Sequence, residues 1–189
     1  MNSPAPVTRR PATYQDVLDA PPHMVAELVR GALSLQPRPR PRHARASSTL
    51  GMDIGGAFDR GRDGPGGWWI LDEPELHLGE NVVVPDLAGW RRERMPTLPE
   101  EAFFTLAPDW VCEVLSPSTR ALDLVDKRAI YAEAGVAHLW LVDPDARTLE
   151  VFALREGAWV LRLAEAGAAE VRAEPFEAVA LPLSALWAE

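Results

Sequence analysis

Residues 109–143 constrain the fold more tightly than any other part of this 189-residue chain. DWVCEVL (109–115) is rich in β-branched and aromatic residues and reads as a strand. SPST (116–119) offers N-cap candidates for a helix that runs to Ala134, where Gly135 ends it at the C′ position. HLWLVD (138–143) is then a second apolar strand. VVVPDLAGW (82–90) has the same strand character, and WWIL (68–71) and ELHL (75–78) add two shorter runs.

The flanks complete the order. Residues 1–12 hold three prolines and no periodicity, which predicts a flexible arm. Thr13 caps a short helix that Pro21-Pro22 stops. MVAELV and ALSLQ flank Arg30-Gly31 as a β-hairpin. PRPRPRHAR (37–45) is proline-punctuated and predicts a loop. Leu50, Ile54 and Phe58 give residues 44–58 a helical spacing. GRDGPGG (61–67) predicts a turn. Beyond 143, turns at Pro144-Asp145 and Glu156-Gly157 divide a meander, and LPLSALW closes the chain. The expectation is one α/β (α+β) domain over 13–189, with a central sheet flanked by helices.

Composition removes several classes. Hydrophobic residues make up 47% of the chain, so it is not disordered. One cysteine, Cys112, excludes an internal disulfide and any multi-cysteine metal site. No apolar run suits a membrane span, and no signal core follows the basic residues near the N-terminus, so a cytoplasmic location is expected. A net charge of −9 argues against a non-specific nucleic-acid binder. It is compatible with an enzyme acting on nucleic acid, because acidic metal ligands are neutralised by the ion.

The basic residues are 18 arginines and a single lysine, Lys127. Wherever a generic positive charge serves, this chain uses arginine; a compact ammonium on a flexible stem is not replaceable by a guanidinium. Strand alternation places Asp86 with Val82, Val84 and Ala88, and Glu113 with Val111 and Leu115. A buried carboxylate without a partner costs several kcal/mol, by an order-of-magnitude estimate. The bland account is an arginine partner or a capped backbone for each. Two such acids on neighbouring strands, followed by the sole lysine, favour a site for a hard divalent ion, Mg²⁺ or Mn²⁺. Asp123, Lys127 and Tyr131 share one helical stripe. A metal on two carboxylates with an ammonium beside it is equipment for phosphodiester hydrolysis.

VPDLAGW, DWVCEVLSPST, the D-x-x-x-K-x-x-x-Y stripe and AGVAHLWLVDP together resemble the Uma-two family of the PD-(D/E)xK nuclease superfamily, over roughly residues 13–187. The resemblance includes the hairpin AELVRGALSL and His43. It implies a restriction-endonuclease-like core and a divalent-metal site. Asp86 and Glu113 would be metal ligands, Glu27 a further acidic member that helps hold the metal and its waters, and Lys127 the catalytic lysine. In the superfamily pattern the lysine stands two residues after the glutamate, where this chain has Leu115; here the following helix supplies it.

The expectation is therefore a metal-dependent endonuclease acting on DNA, working as a homodimer. Arg42, His43 and Arg45 of the basic loop, and Arg91 after the Asp86 strand, are candidate phosphate contacts, each with a solvated surface as its bland alternative. The alternatives in function are a catalytically weak binding module for nucleic acid or protein on the same fold, and a hydrolase of RNA or small phosphodiesters.

Overall fold

Trp110, Cys112 and Val114 enter one apolar core while Val111 enters another, so the strand they share is buried on both faces. In the computed structural model, which describes residues 10–187, the elements in chain order are α1 (Tyr14–Leu18), β1 (Val25–Val29), β2 (Ala32–Gln36), α2 (Pro41–Ile54), β3 (Trp68–Asp72), β4 (Leu76–Leu78), β5 (Asn81–Val83), β6 (Leu87–Arg91), β7 (Trp110–Val114), α3 (Arg128–Glu133), β8 (His138–Asp143), β9 (Thr148–Arg155), β10 (Ala158–Ala166), β11 (Glu170–Val171) and β12 (Leu181–Pro182). Two π-helical turns adjoin the helices, Gly55–Asp59 after α2 and Leu122–Lys127 before α3.

A six-stranded mixed sheet runs β10-β9-β8-β7-β6-β3. Only β7 and β8 are parallel, joined by the crossover that contains α3. One face of this sheet packs on Ala46, Leu50 and Ile54 of α2 and on Phe176, Leu183 and Trp187 from the C-terminal segment. The other packs on Ile130 and Tyr131 of α3 and on Leu76, Leu78 and Val83. Those last three belong to a second, antiparallel sheet, β2-β1-β5-β4, which the reading of one central sheet did not foresee. The hairpin turns hold where expected: Arg30-Gly31 and Glu156-Gly157 all have positive φ, the geometry that matches strand twist.

Three local readings change. The predicted loop 37–45 ends at Arg40, because Pro41 begins α2. A proline's fixed φ and missing N–H suit the first helical position, so Arg42, His43 and Arg45 lie on a helix. The segment 82–90 is two strands in two sheets, β5 and β6. Pro85 has no N–H for a ladder, and the chain passes between the sheets at Val84–Asp86. Asp86 thus stands before β6 rather than on a strand face with Val82 and Val84. The arm's first nine residues lie outside the described ones, whereas Arg10 pairs with Asp16 at 2.7 Å and the Ala12 amide donates to the Gly31 carbonyl at 2.9 Å. Among the described residues no helix is long and apolar enough to cross a membrane.

Candidate active site

The break at Pro85 frees the backbone of Val84, and two side chains take it. The Val84 amide donates to Glu27 Oε1 at 2.7 Å, and the Val84 carbonyl accepts from Lys127 Nζ at 3.0 Å. Glu27 sits on β1 opposite Ser34, which puts Gln36 on its diagonal. Gln36 Nε2 donates to Glu27 Oε2 at 2.5 Å. Glu27 is fully buried.

Lys127 arrives from the π-helical turn. The wider turn keeps both Asp123 and Lys127 buried against the sheet instead of on a solvated face. Lys127 Nζ lies 3.0 Å from Glu27 Oε1, 2.9 Å from Glu113 Oε1 and 3.8 Å from Asp123 Oδ1. Tyr131 Oη, one α-helical turn on, donates to Glu113 Oε1. Asp86 is fixed from two sides: the Val114 amide donates to Oδ2 at 2.7 Å, and His43 Nε2 of α2 lies 3.1 Å from Oδ1.

Three carboxylates, Glu27, Glu113 and Asp123, thus share one ammonium, while Asp86 is held beside them by His43 and the Val114 amide. Burial pushes the Glu113 carboxyl well above the usual carboxylate range, with Lys127 opposing and Asp123, Asp86 and Glu27 adding to the rise. Burial also raises Asp123. Burial alone pulls Lys127 down, but Glu113 and Glu27 outweigh it and hold the ammonium well above its ordinary value. For His43, burial lowers the ring's pKa, and the Asp86 carboxylate more than reverses that.

A cleft of about 320 Å³ opens over this cluster, lined by His43, Asp86, Glu113, Asp123 and Lys127 together with Arg38 and Arg40. Among the described residues no group of three or more His, Cys, Asp or Glu is spaced to enclose a metal ion. Mg²⁺ needs no such cage, since it keeps several waters and takes one or two carboxylates plus phosphate oxygens. Asp86 and Glu113, hard oxygen donors lining one cleft in an excess of negative charge, fit that requirement. Glu27 is fully buried and does not line the cleft; its oxygens bond Lys127, Val84 and Gln36.

Of the other residues singled out in sequence, His43 lies in the cluster through Asp86. Arg42 is an exposed neighbour of the cleft, 3.4 Å from Asp145. Arg45 is exposed and donates to the Ala185 carbonyl at 3.2 Å. Arg91 ends β6 at the opposite end from Asp86 and stacks over Trp68. Sequence reasoning missed Gln36 and the Val84 backbone. The hairpin register carried the signal for Gln36; nothing local carried the one for Val84.

A crystal structure described as a putative nuclease belonging to DUF820, from Anabaena variabilis, has the same fold, with a TM-score of 0.72 and 22% identity over 94% of this chain and 98% of that one. No curated protein matches. The family model Uma2, described as "Putative restriction endonuclease", matches residues 11–184, nearly the full length. The chain belongs to the Uma2 family of putative restriction endonucleases.

Proposed function

We propose that this protein is a divalent-metal-dependent endonuclease hydrolysing DNA phosphodiester bonds, with Asp86 and Glu113 holding Mg²⁺ or Mn²⁺ and Lys127 acting at the scissile phosphate. One observation carries the reading: the only lysine of the chain is buried at the floor of a cleft, among acids drawn from β1, β7 and the turn before α3. The metal, when bound, polarises a phosphoryl oxygen and lowers the pKa of a coordinated water. The chain's own groups do the rest. The Val114 amide and His43 orient Asp86. Tyr131 fixes Glu113. Glu27 and the Val84 carbonyl aim Lys127, whose ammonium offsets the negative charge that develops on the phosphate.

Arg42 and Arg45, exposed on the first turns of α2, are suited to backbone phosphates. Cutting both strands of a duplex suits a two-fold homodimer, expected in the cytoplasm; a monomeric mass by light scattering would remove the dimer.

The test is cleavage of plasmid and single-stranded DNA with Mg²⁺ or Mn²⁺. The wild type should cut, and Lys127→Arg and Asp86→Asn should not. A wild type that cuts with neither metal, or a Lys127→Arg variant that cuts equally well, would overturn the assignment. One observation favours a second reading, a binding module on the same fold: Lys127 is 3% exposed and already saturated by Glu27, Glu113 and Val84. Salt-dependent DNA binding without cleavage under any divalent metal would bring that reading forward. RNA or a small phosphodiester would need the same residues, and a substrate panel separates them.

A further inference from the structure

The catalytic cleft does not end at Asp86. Pro39, His43, Glu73 and Asp86 also line a larger cavity of about 710 Å³, which continues along α2 past Ser47, Ser48, Gly51 and Gly55 to Arg60 and Arg62. Its floor is α2 and the π-helical turn after it; its opposite wall is β3, the edge strand of the large sheet. The fourteen α-helical residues alone extend it by about 20 Å.

Arginines stand at both ends. Arg38 and Arg40 are at the catalytic end, and Arg60 and Arg62 at the far end. All four are exposed. Their neighbours Arg42 and Arg92 are paired, with Asp145 and Asp59. Among the described residues Arg38, Arg40, Arg60 and Arg62 enter no ion pair. Guanidiniums left without carboxylate partners at the two ends of a groove are matched to phosphates. Between them the α2 wall offers Ala44, Ser47, Ser48 and Gly51, with the flexible Met52 beside them, so a sugar–phosphate backbone can lie close to it. The facing wall carries the exposed carboxylates Asp72 and Glu73. They repel phosphate but accept hydrogen bonds from base amino groups. At about 710 Å³ the cavity is in the range of small-ligand sites, a volume that a few nucleotides of one strand would fill.

We infer that the groove along α2 is the track of one polynucleotide strand through the active site, its backbone on the α2 wall, its bases toward β3, and its flanking phosphates held at Arg38 and Arg40 on one side and Arg60 and Arg62 on the other. The inference rests on the nuclease reading above and adds to it a phosphate subsite remote from the catalytic cluster. A strand held at both arginine pairs is bound through an internal segment, not only through a terminus.

The experiment is fluorescence anisotropy of labelled single-stranded DNA without divalent metal, using lengths of about 4 to 16 nucleotides, the usual range of single-strand site sizes. The proteins are the wild type, Arg38→Glu/Arg40→Glu and Arg60→Glu/Arg62→Glu, each checked for an unchanged thermal melt. On the longest oligonucleotide both double variants should bind at least tenfold more weakly. Each should also lose part of the salt dependence, about 0.7 in logarithmic slope per phosphate contact removed. On the shortest, only Arg38→Glu/Arg40→Glu should weaken binding. If Arg60→Glu/Arg62→Glu binds the longest oligonucleotide like the wild type, the track is wrong while the nuclease reading stands. If the wild type binds no oligonucleotide, the track falls, and cleavage of plasmid DNA with Mg²⁺ or Mn²⁺ decides the nuclease reading separately.

Discussion

Lys127 concentrates the physics of the site in one side chain. An ammonium with 3% of its side chain exposed survives only because carboxylates replace its water. Equally, Glu27 and Glu113 are tolerable where they are because the ammonium lies between them. Lys127→Met keeps most of the stem and removes the charge, leaving two buried acids without a cation. We expect a loss of about 3–5 kcal/mol in stability at neutral pH, read from urea unfolding midpoints. A midpoint that does not move would mean that the acids do not depend on the lysine. The burial of Glu113 and the singularity of Lys127 were both legible in sequence, one from strand alternation and one from counting. Their meeting with Glu27 was not, because it joins residues a hundred positions apart around the backbone amide and carbonyl of Val84. The place of His43 against Asp86 escaped for a related reason: proline punctuation suggested a loop where Pro41 instead opens a helix.

The β8–β9 connection illustrates how an element's end is held. Asp143 Oδ1 accepts from the Asp145 and Ala146 amides at 3.0 and 2.8 Å, and Oδ2 pairs with Arg120. Burial alone would raise this carboxyl; Arg120 and the two amides outweigh it and hold it below the usual carboxylate range. A depressed folded-state pKa adds stability above the unfolded value, near pH 3.9, and that gain disappears as pH falls through the lower folded value. Asp143→Ala should therefore cost about 1.5–3 kcal/mol at pH 7 and less at pH 3, measured by denaturant unfolding at both. An equal cost at the two pH values would rule out the charged turn as its source. Elements with a strong local signal, such as the two β-hairpins and the helix that ends at Gly135, lie where the sequence put them. The π-helical turns were invisible, since their wider turn changes no residue preference and is imposed by what the side chains must reach.

Two cores pressed on opposite faces of one sheet make the molecule a three-layer body. The second sheet was unreadable because VVVPDLAGW looks continuous until Pro85 is weighed as a crossing point. On the proposed reading, metal binds the assembled fold and not the unfolded chain, so Mg²⁺ should raise the melting temperature. The stabilisation is about 2.7 kcal/mol at a hundredfold excess over Kd. Asp86→Asn should lose this response; an identical shift in both proteins would place the ion elsewhere. The crossing between the sheets has a genetic corollary. The Val84 groups that hold Glu27 and Lys127 are amide and carbonyl, present whatever residue occupies the position. Side-chain scanning would pass over position 84 as dispensable, and proline alone, by deleting the N–H, would expose it as part of the site.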